Sequence, residues 1–138
     1  MIIPTSIFID SDAFIALLKL DDSNHNKALE ILAKLDQNSV LLYTSTYVFA
    51  ETVTVLSQRL GRKYAEEFIG MVKGQSSAIT FLWPDEQIQE KAIELFLQQK
   101  SKNVSFVDCI NMTLIKERFI DMVFSFDKIY GKNVIKYV

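Results

Sequence analysis

Ile7-Phe8-Ile9-Asp10-Ser11-Asp12 is the stretch on which the reading of this chain turns. A short apolar run with no polar interruption, ending in an acid, has the pattern of a buried parallel strand. Such a strand delivers its carboxylate to the carboxyl edge of the sheet, where open α/β folds bind ligands. Asp10, Ser11 and Asp12 are also good N-cap residues, so a plain helix start accounts for any one of them taken alone. The choice between a site and a cap depends on whether other acids reach the same edge.

Working outward, Asp12 to Leu20 has helical spacing, with Phe14, Ile15, Leu17 and Leu18 on its apolar side. A second helix follows from about Asn24 to Leu35, with Ala28, Leu29, Ile31, Leu32 and Leu35 on its buried face. His25, near its start, reads as a capping or surface residue rather than a ligand. Val40 to Thr44 is the second buried strand, and Ser45 or Thr46 caps a helix to about Leu60. Gly61 ends it, and an amphipathic helix runs from Arg62 to about Lys73, with Gly74 after its last turn.

Ile79 to Trp83 is the third strand. Pro84 and Asp85 open a helix to about Lys100, with Ile88, Ala92, Ile93, Leu95 and Phe96 on the core side. Ser105 or Phe106 starts a helix to about Arg118 that carries Ile110, Leu114 and Ile115 inward. Met122-Val123-Phe124-Ser125-Phe126-Asp127 repeats the opening theme, an apolar strand running into an acid. Val134 to Val138 reads as a short final edge strand. Strands alternating with helices imply a parallel sheet covered on both faces, a three-layer α/β/α fold with right-handed crossovers. No repeat, low-complexity tract or linker interrupts it, so residues 1–138 are expected to form one domain.

Composition narrows the chemistry. With 138 residues, 49% hydrophobic and 23% charged, the chain is long and apolar enough for a proper core. A formal net charge of -2 excludes bulk attraction to a polyanion, so any nucleic-acid contact must rely on local cations or metal ions. The single cysteine, Cys109, makes no internal disulfide, and no zinc-type Cys/His spacing exists. The stretch Met1 to Thr5 has neither the basic start nor the apolar core of a signal peptide, and no apolar run reaches membrane-spanning length. A cytoplasmic protein with no membrane contact is expected. One histidine leaves no comfortable Ser-His-Asp or Cys-His system, so carboxylates are the expected catalysts.

The acids then fall into place. Glu51 lies among Tyr47, Val48, Phe49, Ala50, Val53 and Val55, on a largely apolar helical face where an unpaired carboxylate is costly. Reaching solvent past an aromatic, or pairing with Arg59, is the ordinary alternative. Asp108 stands in the first turn of its helix, where the helix dipole alone favours a carboxylate by roughly 0.3–1 kcal/mol. Asp127 has the alternative of capping a turn through Asp127-Lys128-Ile129-Tyr130. Jointly, Asp10, Asp108 and Asp127 are expected at one sheet edge, and Glu51 starts its helix from that edge. Two carboxylates about 5 Å apart repel by roughly 3 kcal/mol even at an effective dielectric of about 20, so such a group needs protonation, a basic partner or a cation. Oxygen-only ligands around an open position most naturally hold Mg²⁺ or Mn²⁺.

At these residues the sequence resembles a PIN domain, the small nuclease fold that includes the VapC-type toxins of prokaryotic toxin-antitoxin pairs. The resemblance spans essentially the whole chain. The family's first motif matches Ile7 to Asp12, its helical Glu matches Glu51 in Val48-Phe49-Ala50-Glu51, its third acid matches Asp108-Cys109-Ile110, and its last matches Ser125-Phe126-Asp127. Cys109 stands where alanine is usual, Asn111-Met112 where small residues are common, and Asp12 where Asn is more frequent.

The resemblance implies a divalent-metal-dependent endoribonuclease, acting as the toxin of a toxin-antitoxin pair. Asp10, Asp108 and Asp127 would hold one or two ions of Mg²⁺ or Mn²⁺, directly or through water, and Glu51 would complete the acidic shell or orient the attacking water. Ser125 would orient Asp127 or a nearby water, and Ser11 the loop carrying Asp12. The partners implied are an RNA substrate, an antitoxin protein and a second copy in a homodimer. Arg59, Arg62 and Lys63 form one candidate RNA-binding patch, and Lys116 with Arg118 another.

Three rivals stand beside this reading. An RNA-processing nuclease with no antitoxin would carry the same residues. A non-catalytic PIN-like module would use the 12% aromatic content and apolar helices for RNA binding or assembly. Asp10-Ser11-Asp12 also matches the D-x-D of haloacid-dehalogenase-like phosphatases, but Phe14 stands where they want Thr or Val, and their downstream lysine and acid pair is missing.

Overall fold

Ser6–Ile9 forms β1, and every residue in it is buried, as a strand covered on both faces requires. A computed structural model describes residues 3–138. Met1 and Ile2, the first residues of the stretch read above as no signal peptide, lie outside the described residues. After β1 come α1 (Ser11–Leu18), α2 (His25–Gln37), β2 (Leu41–Ser45), α3 (Thr46–Arg59) and α4 (Arg62–Lys73). The second half adds β3 (Ile79–Leu82), α5 (Glu86–Gln98), α6 (Phe106–Glu117), β4 (Met122–Phe124) and the short α7 (Ile129–Lys132).

The four strands are parallel in the order β3-β2-β1-β4, with Ile7 in register with Leu42 on one side and Met122 on the other. The chain walks outward from β1 to β3 and then returns past β1 to β4. That reversal sets the topological switch point between β1 and β4, and with it a crevice at their carboxyl ends. Right-handed crossovers in this order place α1 to α4 on one face and α5 and α6 on the other, giving the expected α/β/α layers.

Local chemistry explains the boundaries. The side chains of Asp10, Ser45, Asp85 and Ser105 cap α1, α3, α5 and α6. Gly61, at φ +112°, takes a turn between α3 and α4 that a side chain would strain. Phe68 of α4 packs edge-on against Phe14 of α1 at 4.9 Å, and Phe49 of α3 reaches Phe81 of β3 at 5.7 Å, so the aromatic residues join that helical layer to the sheet. His25 neither caps α2 through its side chain nor stands free: its Nδ1 lies 2.7 Å from the Ala16 carbonyl and ties α2 to α1.

Two further expectations change. Leu29, Ile93 and Phe96 are exposed, because the buried stripes of α2 and α5 narrow to Ala28, Ile31 and Leu35 and to Ile88 and Ala92. The final strand shrinks to one bridge between Tyr137 and Val123. The reason is the end of α7, where the Ile135 amide donates to the Tyr130 carbonyl and the Val134 amide to that of Gly131. This Schellman closure puts Val134 at φ +64°, in the left-handed region, and turns the chain out of extended pairing.

A β-branched residue at that φ costs roughly 1–2 kcal/mol, and Val134 is 92% exposed, so its side chain contributes little packing in return. Val134→Gly is expected to stabilise the fold by about 1 kcal/mol, read as a higher midpoint in denaturant unfolding. A lower midpoint would show that the Val134 side chain makes a contribution to the fold.

Candidate active site

The carboxyl end of β1 delivers Asp10 into the switch-point crevice, where it is only 5% exposed. Its Oδ1 accepts the Ser11 amide at 2.7 Å, so the cap reading holds, and also the Asn111 side-chain amide at 3.3 Å. Its Oδ2 accepts the Tyr130 hydroxyl at 2.7 Å and faces the Ser125 hydroxyl at 3.4 Å. Asn111 and Tyr130 are fully buried and bonded to each other at 3.1 Å. Burial and then the charge of Asp12 push the Asp10 carboxyl up to about 7, against the hydrogen bonds from Tyr130 and Ser11.

Asp12, in the first turn of α1, binds the loop that follows β4. Its Oδ2 accepts the Ser125 hydroxyl at 3.1 Å and the Phe126 amide at 2.9 Å. Its Oδ1 is buried without a partner. Burial raises its pKa, and the charge of Asp127 adds to the rise. Ser125 in turn accepts the Asp127 amide at 3.1 Å, so it positions the backbone of Asp127 and not its carboxylate. Asp127 is exposed, and its Oδ1 accepts the Ile129 amide at 3.1 Å, which starts the turn into α7.

Asp108 completes a capping box at the start of α6. Its Oδ2 accepts the Ser105 amide at 2.9 Å while Ser105 Oγ accepts the Asp108 amide at 3.0 Å. Its carboxyl is raised by burial, and the charge of Asp127 adds to this. Glu51 is more open than its apolar neighbours implied, because Val48, Thr52 and Leu56 take the buried side of α3. Partial burial still raises its pKa, followed by the charge of Asp108, while the Ser11 side chain opposes the rise. The expected acids therefore feel one another's charge at a single edge, and Ser11 and Ser125 lie among them. None of the ion pairs among the described residues involves them.

The donor set suits a hard divalent cation: every donor is oxygen, the carboxylates repel one another, and the Asp12 Oδ1 atom is orphaned. Among the described residues no three acidic, His or Cys side chains stand close enough to chelate an ion directly.

The PIN domain family matches residues 7–133. The chain belongs to the PIN domain family. Over 121 residues it is 25% identical to the 23S rRNA-specific endonuclease VapC20 of Mycobacterium tuberculosis, covering 88% of each chain. The crystal structure of Mycobacterium tuberculosis VapC20, described as a Sarcin-Ricin loop cleaving toxin, matches with a TM-score of 0.84 at 23% identity, over 96% of this chain and 98% of that one. FitAcB from Neisseria gonorrhoeae matches with a TM-score of 0.71 at 16% identity, over 96% of each chain. The two structural likenesses carry the fold. PIN membership displaces the phosphatase reading of Asp10-Ser11-Asp12.

Sequence reasoning missed two residues of this PIN site. Asn111 lies one helical turn beyond Asp108 as the one amide in the buried run Cys109 to Ile115, and Tyr130 lies three residues beyond Asp127. For Asn111 that helical spacing was the available signal. Cys109 is a packing residue whose thiol burial and Asp108 push up to about 11. The two candidate cation patches lie at the wrong end. Asp108 is in the first turn of α6 and Glu51 in the second turn of α3, and Arg59 and Lys116 each lie eight residues further along, about 12 Å away at roughly 1.5 Å per residue. The cations at the acid edge are instead Lys128 and Lys132.

Asp10 gives the metal-free protein a pH signature. Its folded carboxyl keeps a proton to about 7 against an ordinary 3.8, so its contribution to stability is complete below about 4 and lost as pH rises through 7. The raised carboxyls of Asp12, Glu51 and Asp108 act in the same direction. With a chelator present, unfolding stability should fall from about pH 5 to about pH 8, by roughly 3 kcal/mol from Asp10. Asp10→Asn should flatten the slope and be the more stable protein at the higher pH. Denaturant midpoints across that range check this, and a wild-type stability that rises with pH would contradict it.

Proposed function

We propose that this PIN domain is a divalent-metal-dependent endoribonuclease acting as the toxin of a toxin-antitoxin pair. The observation that carries the reading is the convergence of Asp10, Asp12, Glu51, Asp108 and Asp127 at the β1/β4 switch point, where the carboxyls of Asp10, Asp12, Glu51 and Asp108 are raised by burial and by neighbouring acids and none of the five pairs with a cation of the described residues. Its relative VapC20 is named as an endonuclease of 23S rRNA, which makes that RNA the first substrate to test.

In this reading Asp10, Asp108 and Asp127 would hold Mg²⁺ or Mn²⁺, directly or through water, and Glu51 would complete the acidic shell or orient the attacking water. A bound divalent ion supplies an activated nucleophile near neutral pH and neutralises charge on the phosphate and the leaving oxygen. Tyr130 and Asn111 fix the Asp10 carboxylate from behind, at 2.7 and 3.3 Å, so that it cannot swing away from the crevice. Asp12 and Ser125 keep the loop after β4 against α1, which sets where Asp127 stands.

The partners in this proposal are RNA, an antitoxin and a second copy of the chain, in a cytoplasmic setting. Ile93, Phe96 and Leu97 leave an exposed apolar strip on α5 that supports self-association. No helix among the described residues is long and apolar enough to cross a membrane.

Asp10→Asn is expected to lower divalent-dependent cleavage of 23S rRNA by about 100-fold or more, and Tyr130→Phe, which removes one hydrogen bond behind Asp10, by roughly 10-fold. Both variants should remain folded by circular dichroism. Cleavage undiminished in Asp10→Asn, or unaffected by chelator in the wild type, would remove the mechanism.

A further inference from the structure

Beside the acids, between the loop joining α5 to α6 and the turn of α7, lies a cavity of about 710 Å³. Asp12 and Asp127 form one of its walls, so it opens directly onto the candidate active site. Its size falls in the range of small-ligand sites, about 300–1,000 Å³. The other walls are rich in side-chain amides, Asn24, Gln99, Asn103 and Asn133, and Lys128 and Lys132 stand at the side of α7. We propose that this cavity is a ribonucleotide subsite, which holds the nucleotide beside the cleaved phosphate and reads its base. The inference rests on the ribonuclease reading above.

Gln99 and Asn133 meet across the cavity from the ends of α5 and α7. Gln99 Nε2 donates to Asn133 Oδ1 at 3.3 Å, and Asn133 Nδ2 faces Gln99 Oε1 at 3.5 Å, both long contacts. Each amide is oriented by its own helix, Gln99 through the Leu95 carbonyl at 3.3 Å and Asn133 through the Ile129 carbonyl at 2.9 Å. Each amide oxygen retains a lone pair for an incoming donor, and the long contacts between the two amides exchange readily for a base edge. A side-chain amide offers donor and acceptor together, the combination that pairs bidentately with a base edge, and unstacked RNA bases are read in this way.

The charges agree with this assignment. The acid edge repels phosphate, so an RNA strand that crosses it needs cations on its far side. Lys128 and Lys132 are one helical turn apart, both exposed, and neither forms an ion pair among the described residues. A second cavity of about 570 Å³ shares Phe126, Lys128 and Lys132 and continues to Lys27 and Tyr137. The two together make a groove with cations along one side and aromatic rings at Phe126 and Tyr137, the pairing that single-stranded nucleic acid uses for its backbone and bases.

Two measurements on the full chain test the subsite. In the first, the 5′-monophosphates of the four ribonucleosides are titrated, without metal, into isotope-labelled protein. Saturable shifts are expected in the amide resonances of residues 99–104 and 128–133, with affinity weakened roughly 10-fold or more in Gln99→Ala/Asn133→Ala. Lys128→Glu/Lys132→Glu, which alters only exposed side chains, should weaken it similarly. In the second, random-sequence RNA is cut with Mg²⁺ or Mn²⁺ and the new ends are sequenced; the Gln99→Ala/Asn133→Ala protein should still cut but lose base preference next to the cut.

Absence of shifts at those residues with all four nucleotides overturns the subsite, as does binding that survives both double substitutions. A base preference intact in Gln99→Ala/Asn133→Ala also overturns it. Nucleotide binding at the cavity with no RNA cut by the wild type would overturn the ribonuclease reading instead, so the two failures are distinct.

Discussion

A carboxylate buried at the end of the central strand is the constraint around which this molecule is arranged. Burying an ionised group is costly unless it is hydrogen-bonded or neutralised, and Asp10, at 5% exposure with other acids around it, meets that cost with groups from four parts of the chain. The Ser11 amide comes from α1, Asn111 from α6, Ser125 from the end of β4 and Tyr130 from α7. Because those elements lie on different sides of β1, satisfying one side chain also fixes how the layers and the short last helix meet the sheet. What remains uncompensated is charge, since the nearest groups beyond this shell are further acids.

The neighbouring acids follow a related economy. Asp10 caps α1, Asp108 closes the capping box of α6, Asp127 starts the turn into α7, and Asp12 fastens the loop after β4. Each has a structural task, and each also stands among the other acids of the carboxyl edge. Capping and site-building are therefore not alternatives here: a helix that starts at the switch point uses a carboxylate for its cap and leaves that carboxylate beside the others. A hydrated divalent ion that takes only one or two carboxylates directly suits such partly engaged ligands.

This double role also explains what could be read from the sequence. Strand β1 and the acid ending it were legible because burial on both faces produces an uninterrupted apolar run, Asp108 and Asp127 because they begin a helix or follow a strand, and Glu51 because its helical neighbours are apolar. Asn111 and Tyr130 were not, because their partner Asp10 is 101 and 120 residues away and both lie in otherwise apolar surroundings. Periodicity marked an apolar side on α2 and α5 but not how much of it finds a partner, so Leu29, Ile93 and Phe96 were misplaced. The segment from Val134 has a strand's composition, yet the left-handed turn after α7 is written in hydrogen bonds that composition does not record. Arg59 and Lys116 were plausible cations until the direction of α3 and α6 carried them away from the acid edge.

The proposed role of these acids is to hold a divalent ion on which the chemistry of the site depends. Anomalous diffraction from crystals grown with Mn²⁺ tests it most directly. A manganese peak is expected in the crevice between the ends of β1 and β4, bordered by Asp10, Asp108 and Asp127, and is expected to be lost in crystals of Asp10→Asn. A crevice without manganese in well-ordered wild-type crystals, or a peak that survives Asp10→Asn unchanged, would contradict it.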